Sequence, residues 1–186
     1  MPRREAEVGR RGRPSGRSAL RPTLSRVRDA LMNSLAPRLP GSRLLELFAG
    51  TGALGRAALA RGAGRVVFVE RDARLAEVLR ATLAKEGWAD RSEVWCKDAL
   101  AAVRDLGRAG ERFDLILMDP PYGEGWIPRI LRAIGEAKLA APGALIVAEG
   151  HWRDAPVPEA GFVQVRARRH GETVLWFYAP DGGRTG

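Results

Sequence analysis

A chain of 186 residues, 45% of them hydrophobic, is enough for one domain with a buried core, and its formal charge of +9 rests almost wholly on arginine. No apolar run approaches a membrane span and none follows the polar start, so neither a transmembrane helix nor a secretory signal is expected. A single cysteine, Cys96, excludes an intrachain disulfide, and no His/Cys/Asp cluster has metal spacing. The expectation is a cytoplasmic monomer that uses no metal and touches no membrane.

Residues 1–20 are rich in Arg, Gly, Pro and Ser, lack periodicity and read as a flexible basic arm. Over residues 1–28, nine arginines face only Glu5 and Glu7, a local charge of +7. Such a segment suits a polyanion, with affinity that falls with salt; a solvated tail, or a genome biased toward arginine, would look the same. Residues 21–186 read as one domain. Leu24, Val27, Leu31 and Leu35 recur at helical spacing between Pro22 and Pro37, so an arginine-bearing helix precedes the main sheet.

Strands are expected over 43–48 and 65–70, with an Ala-rich helix from about 53 to 61 as the crossover between them. A helix over 73–85, a strand over 93–96 and a helix over 99–106 follow. The continuous apolar run 113–118 reads as a central parallel strand. Asp119-Pro120-Pro121-Tyr122-Gly123 can be neither helix nor strand interior. A helix over 127–139 and a strand over 144–149 come next. Alternating segments 162–169 and 173–179, joined at 170–172, read as an antiparallel hairpin closing the sheet. The fold class is α/β: a Rossmann-like, mostly parallel seven-stranded sheet with helices on both faces.

The first strand runs into Phe48-Ala49-Gly50-Thr51-Gly52, and Gly50, Gly52 and Gly55 have nucleotide-turn spacing. Glu70, 20 residues after Gly50, sits where an acid can accept from a ribose diol. Glu46, Glu70, Asp98 and Asp119 fall near the carboxyl ends of four successive strands, the edge where open α/β sheets bind ligands. For Asp98, capping of the following helix explains the residue equally well. The Pro-Pro turn holds the Asp119 carboxylate and the Pro120 carbonyl as fixed acceptors, a pair suited to the two N–H donors of a nucleobase amine. Tyr122 offers a ring on which a flipped base can stack. His151 and His170 read as surface residues. Trp88, Trp95, Trp152 and Trp176 read as core or sheet packing. Trp126 reads as helix packing with a possible place in the pocket wall.

Glu46-Leu47-Phe48-Ala49-Gly50-Thr51-Gly52 resembles the cofactor motif of class I S-adenosylmethionine-dependent methyltransferases, and Asp119-Pro120-Pro121-Tyr122 resembles their amino-methylating motif. With Arg21-Pro22-Thr23-Leu24-Ser25-Arg26-Val27-Arg28, the chain from about 21 to 178 resembles the bacterial RsmD-type enzymes, which methylate a guanine N2 in 16S ribosomal RNA. The resemblance implies S-adenosylmethionine as cofactor, S-adenosylhomocysteine as product, and 16S rRNA or an assembling small subunit as partner. It implies cofactor contacts from Glu46, Phe48, Ala49, Gly50, Thr51, Gly52, Glu70, Arg71, Asp98, Ala99 and Asp119. By the same resemblance Asp119, Pro120, Pro121 and Tyr122 would hold the guanine; the basic charge of the N-terminal segment, where family members vary before residue 21, makes Arg10, Arg11, Arg13, Arg17, Arg21, Thr23 and Arg26 the expected RNA contacts. DNA adenine and cytosine amino-methyltransferases share the motif after the fourth strand, so it does not fix the base. An NAD-dependent oxidoreductase would explain the glycines and Glu70 but not Asp-Pro-Pro-Tyr. A non-enzymatic rRNA-binding assembly factor would explain the charge but not the acids.

Overall fold

The structure, a computed structural model, describes residues 20–154 and 161–182, and the side chains of 27–153 and 161–182. Arg10, Arg11, Arg13 and Arg17 lie outside the described residues. Arg21, Thr23 and Arg26 lie on a described helix backbone, but their side chains do not belong to the described set.

Seven strands form one sheet: β1 (Arg43–Leu47), β2 (Arg65–Glu70), β3 (Ser92–Cys96), β4 (Phe113–Met118), β5 (Ala140–His151), β6 (Phe162–His170) and β7 (Thr173–Pro180). Their order is β3-β2-β1-β4-β5-β7-β6. The first five run parallel, and β7 lies antiparallel between β5 and β6. Five helices cover it: α1 (Leu20–Leu35), α2 (Ala53–Ala60), α3 (Ala73–Lys85), α4 (Ala99–Arg108) and α5 (Trp126–Glu136).

Strand side chains alternate between two cores, as the pleat requires. Leu44, Val66, Phe68, Leu115, Leu117, Val147, Leu175 and Phe177 face α1, α2 and α3. Leu45, Val67, Ile116, Met118, Ile146, Ala148 and Trp176 face α4 and α5. β1, β2 and β4 are apolar on both faces because both are covered. Strand order reverses between β1 and β4, so the chain leaves these neighbours in opposite directions and opens a crevice at their carboxyl ends.

The structure moves several expected boundaries. The last strand of the parallel set begins at Ala140 rather than 144. Ala140 pairs with Phe113, the intervening Pro142 and Gly143 bulge out, and register resumes at Leu145 opposite Leu115. α4 continues through Gly107 to Arg108; a Cβ at Gly107 would lie 2.7 Å from the Ala137 Cβ, so the glycine lets α5 approach. α5 stops at Glu136, three residues before the expected end. Leu139 N–H donates to the Ile134 carbonyl (3.1 Å) and Lys138 N–H to the Gly135 carbonyl (3.1 Å), a Schellman termination. α2, α3 and α4 end in the same pattern with glycine in the left-handed position: Gly62, Gly87 and Gly110. Here that position is Lys138, at φ 52°.

A lysine in the left-handed region costs conformational energy that glycine does not pay, offset in part by the greater freedom of unfolded glycine. Lys138→Gly should therefore raise stability, by about 0.5–1 kcal/mol. Urea denaturation measures it; a lower midpoint at unchanged slope would mean the lysine stem contributes more by packing than the backbone loses.

Candidate active site

The turn after β1 sits in the crevice, and two acids from the sheet hold it. Glu46, only 4% exposed, accepts from Gly55 N–H (2.7 Å) and from Leu54 N–H at a longer 3.4 Å. These are first-turn donors of α2, whose N-cap, Gly52, has no side chain to satisfy them. Glu70 accepts from Gly50 N–H (2.7 Å) through one oxygen and from Asp72 N–H (2.8 Å) through the other. It thus ties the first turn to the one after β2. Gly55 is small of necessity: a Cβ there would stand 2.4 Å from the Phe68 ring and 2.6 Å from the Glu46 carboxylate. Phe48 adopts φ 59°, a conformation bulky residues rarely take, and meets Trp126 edge-on at 5.4 Å.

A cavity of about 400 Å³ opens beside this turn, lined by Phe48, Val69, Glu70, Arg71, Lys97, Asp98, Ala99, Asp119, Pro120, Pro121, Tyr122 and Trp126. The residues anticipated from sequence thus divide. Phe48, Glu70, Arg71, Asp98, Ala99 and all of Asp119–Tyr122 line one space. Glu46, Ala49, Gly50, Thr51 and Gly52 lie in or beneath the turn and not in the cavity wall. Asp98 does cap: one oxygen accepts from Ala101 N–H (3.0 Å) at the start of α4. It faces the cavity as well.

Burial pushes the Glu46 carboxyl up to about 8 against the opposing pull of its two N–H donors, and the Asp119 charge adds to the rise. Asp119 is solvent-accessible within the recess, yet enclosed by enough protein to raise its pKa too. Behind it, burial and the Asp119 charge push Glu149 on β5 up to about 7. Glu149 and Thr173 share hydrogen bonds with the Tyr122 hydroxyl, whose pKa burial raises to about 12. Nothing in the sequence linked Glu149 to the Pro-Pro turn, because Glu149 lies 27 residues beyond Tyr122 and only the sheet order brings them together. The Tyr122 ring is 48% exposed and free to stack, while its hydroxyl is tethered. Trp152 departs from its expected core placement: it is 39% exposed, whereas Trp176 is buried at 4%.

The cavity wall combines three carboxylates, Glu70, Asp98 and Asp119, with two cations, Arg71 and Lys97, and with apolar surface from Phe48, Val69 and Ala99, a lining suited to a polar, partly aromatic small molecule. The family model described as "Conserved hypothetical protein 95" matches residues 9–179. The chain belongs to that family, the RsmD-type methyltransferases. It is 32% identical over 160 residues to the ribosomal RNA small subunit methyltransferase D of Escherichia coli, covering 86% of this chain and 79% of that one. The structure of the E. coli protein yhhF superposes with a TM-score of 0.78 at 27% identity, covering 85% of this chain and 88% of that one. SMU.776, solved with SAH, shares the fold at 16% identity, with a TM-score of 0.66, 82% of this chain and 48% of that one covered.

The Glu46 shift has a sign that stability can read. An unfolded Glu titrates at its ordinary 4.5, whereas the folded one keeps its proton to about 8. Below 4.5 both states are protonated and stability is full; as pH rises toward 8 the unfolded state alone releases a proton, and stability falls. Glu46→Gln keeps an acceptor for Gly55 but cannot titrate. Thermal melts at pH 5 and pH 8 should show a smaller loss for Glu46→Gln than for the wild type, with Glu149 supplying part of the remainder. An equal loss in both proteins would show that Glu46 is not the buried titrating group.

Proposed function

We propose that this protein, acting as a monomer in the cytoplasm, transfers a methyl group from S-adenosylmethionine to the exocyclic N2 amine of a guanine in 16S rRNA, free or within an assembling small subunit. One observation carries the reading: Asp119 and Tyr122 open onto the same cavity as Glu70 and Asp98, so a base-amine acceptor and a nucleoside-binding edge share one space. The relatives named as rRNA small subunit methyltransferases support the substrate class, and the neighbour solved with SAH supports the cofactor.

Glu70 and Asp98 are proposed to hold the ribose and amine groups, and Phe48 and Ala99 to flank the adenine. When bound, S-adenosylmethionine supplies an electrophilic methyl carbon on a sulfonium. Tyr122 presents its ring to the extruded guanine. Asp119 and the Pro120 carbonyl accept from the two amine N–H groups, which turns the nitrogen lone pair out of conjugation and toward the methyl carbon. On transfer the sulfonium would leave as a neutral thioether and the methylated amine would lose a proton, which Asp119, whose pKa burial raises, would take. The chain contributes position and prearranged acceptors, with no covalent intermediate. Arg10, Arg11, Arg13, Arg17, Arg21, Thr23 and Arg26 are proposed to meet RNA phosphates.

Incubation with methyl-labelled cofactor and unmethylated 16S rRNA or small subunits, followed by mapping of the labelled base, tests the whole reading; label on adenine, on DNA alone or on nothing would overturn it. Glu70→Ala should weaken S-adenosylmethionine binding by about 1–3 kcal/mol, because partners of a buried carboxylate go unpaired. Calorimetry giving wild-type affinity would remove Glu70 from the site. Asp119→Ala should still bind cofactor and RNA, while single-turnover transfer drops on the order of a hundredfold or more. Transfer at the wild-type rate would rule out Asp119 as the acceptor.

A further inference from the structure

Outside the cavity, an aromatic path continues from Tyr122 along the same edge of the sheet. Because β5 is parallel to β4 and β7 is antiparallel to β5, the end of β5, the start of β7 and the β6–β7 turn all gather at the edge where Asp119 sits. The His151 ring lies 6.3 Å from Tyr122, and the Trp152 ring lies 5.7 Å from His151. Trp152 is 39% exposed. The Arg153 guanidinium lies over the indole, 5.1 Å from the ring centroid, and that of Arg169 lies over it at 4.9 Å.

This step is fixed in place. Trp152 N–H donates to the Glu172 carbonyl (2.9 Å), Arg153 N–H to His151 Nδ1 (3.2 Å), and Arg169 Nε–H to the Gly171 carbonyl (2.7 Å). The nearby acid, Glu172, reaches His151 at 4.0 Å. An exposed indole with two guanidiniums over its ring, two ring steps from the tyrosine proposed to receive a flipped base, has the composition of a single-strand stacking platform. A protein-docking face would instead call for a wider contiguous surface around the indole.

We propose that Trp152, Arg153 and Arg169 form a subsite for the nucleotides next to the target guanine: a neighbouring base displaces a guanidinium from the indole and stacks there, and the two guanidiniums take its flanking phosphates. The subsite rests on the methyltransferase reading above and adds to it the local single-stranded state of the RNA around the modified base. Extruding one base unstacks its neighbours, and a platform two steps away recovers part of that cost.

The test uses unmethylated 16S rRNA, free and in small subunits, with the full-length protein. Trp152→Ala should raise KM for the RNA about 5- to 100-fold, the loss of one stacked base, with S-adenosylmethionine affinity unchanged as the check on folding. Trp152→Phe should stay within a few-fold of wild type, but lose part of the tryptophan fluorescence quenching that RNA produces. Arg153→Gln/Arg169→Gln should lower the slope of log affinity against log salt by about 1.4, two phosphate contacts on a single strand. An unchanged KM for Trp152→Ala, or an unchanged slope for the arginine pair, overturns the subsite while the wild type goes on methylating RNA. A KM unchanged for RNA but an indole protected by a bound protein would assign the step to a protein partner. Failure of the wild type to methylate either RNA would remove the reading on which the subsite stands.

Discussion

The N–H groups of Leu54 and Gly55 point into the sheet at a carboxylate that the sheet itself has taken out of water, and this contact sets the path of the chain after β1. Burying Glu46 is costly, which its raised pKa records. The return is a helix start satisfied without any side chain at the cap, so the turn can be built from small residues and lie open to a ligand. Glu70 repeats the device one strand over, with its two oxygens on backbone donors of two different turns. The acids that a sequence reader assigns to the ligand are, first, the struts of the loop that would receive it. Each carboxylate oxygen carries two lone pairs, so support and ligand contact are compatible at Glu70, which faces the cavity.

The central strands β1, β2 and β4 were legible because they are buried on both faces and therefore read as nearly unbroken apolar runs. β4 and α3 occupy the residues their patterns mark, and the alternating 162–179 segment is a hairpin. Boundaries failed where a local rule was broken. Three helices announce their ends with glycine; α5 ends at a lysine in the same conformation, so the apolar period through Leu139 gave no stop signal. The irregular pairing of Ala140 hid the first part of β5 behind Pro142 and Gly143, residues that ordinarily mark a loop.

The site was legible in its one-dimensional part only. Phe48, Glu70, Asp98 and Asp119–Tyr122 are each placed by the end of their own strand, and parallel strands bring those ends together without further instruction. Glu149, His151 and Trp152 escaped because their relation to Tyr122 depends on which strand neighbours β4, a fact of sheet order that no local pattern carries. Trp152 shows the limit most plainly. Its composition is that of a core residue, and only the three-dimensional edge turns it outward.

The placing of β7 between β5 and β6 also has a meaning in time. The free edge of β5 stays uncovered until residues 173–180 are available, since β6 precedes them in the chain yet pairs only with β7. Thr173, which helps hold the Tyr122 hydroxyl, belongs to that last strand. The wall behind Tyr122 is therefore completed by a strand that follows every other strand of the sheet in the chain. A nascent chain can form the β1–β4 crevice while β7 is still to come, so the two sides of the cavity are completed in order, the crevice first and the tether of Tyr122 after it.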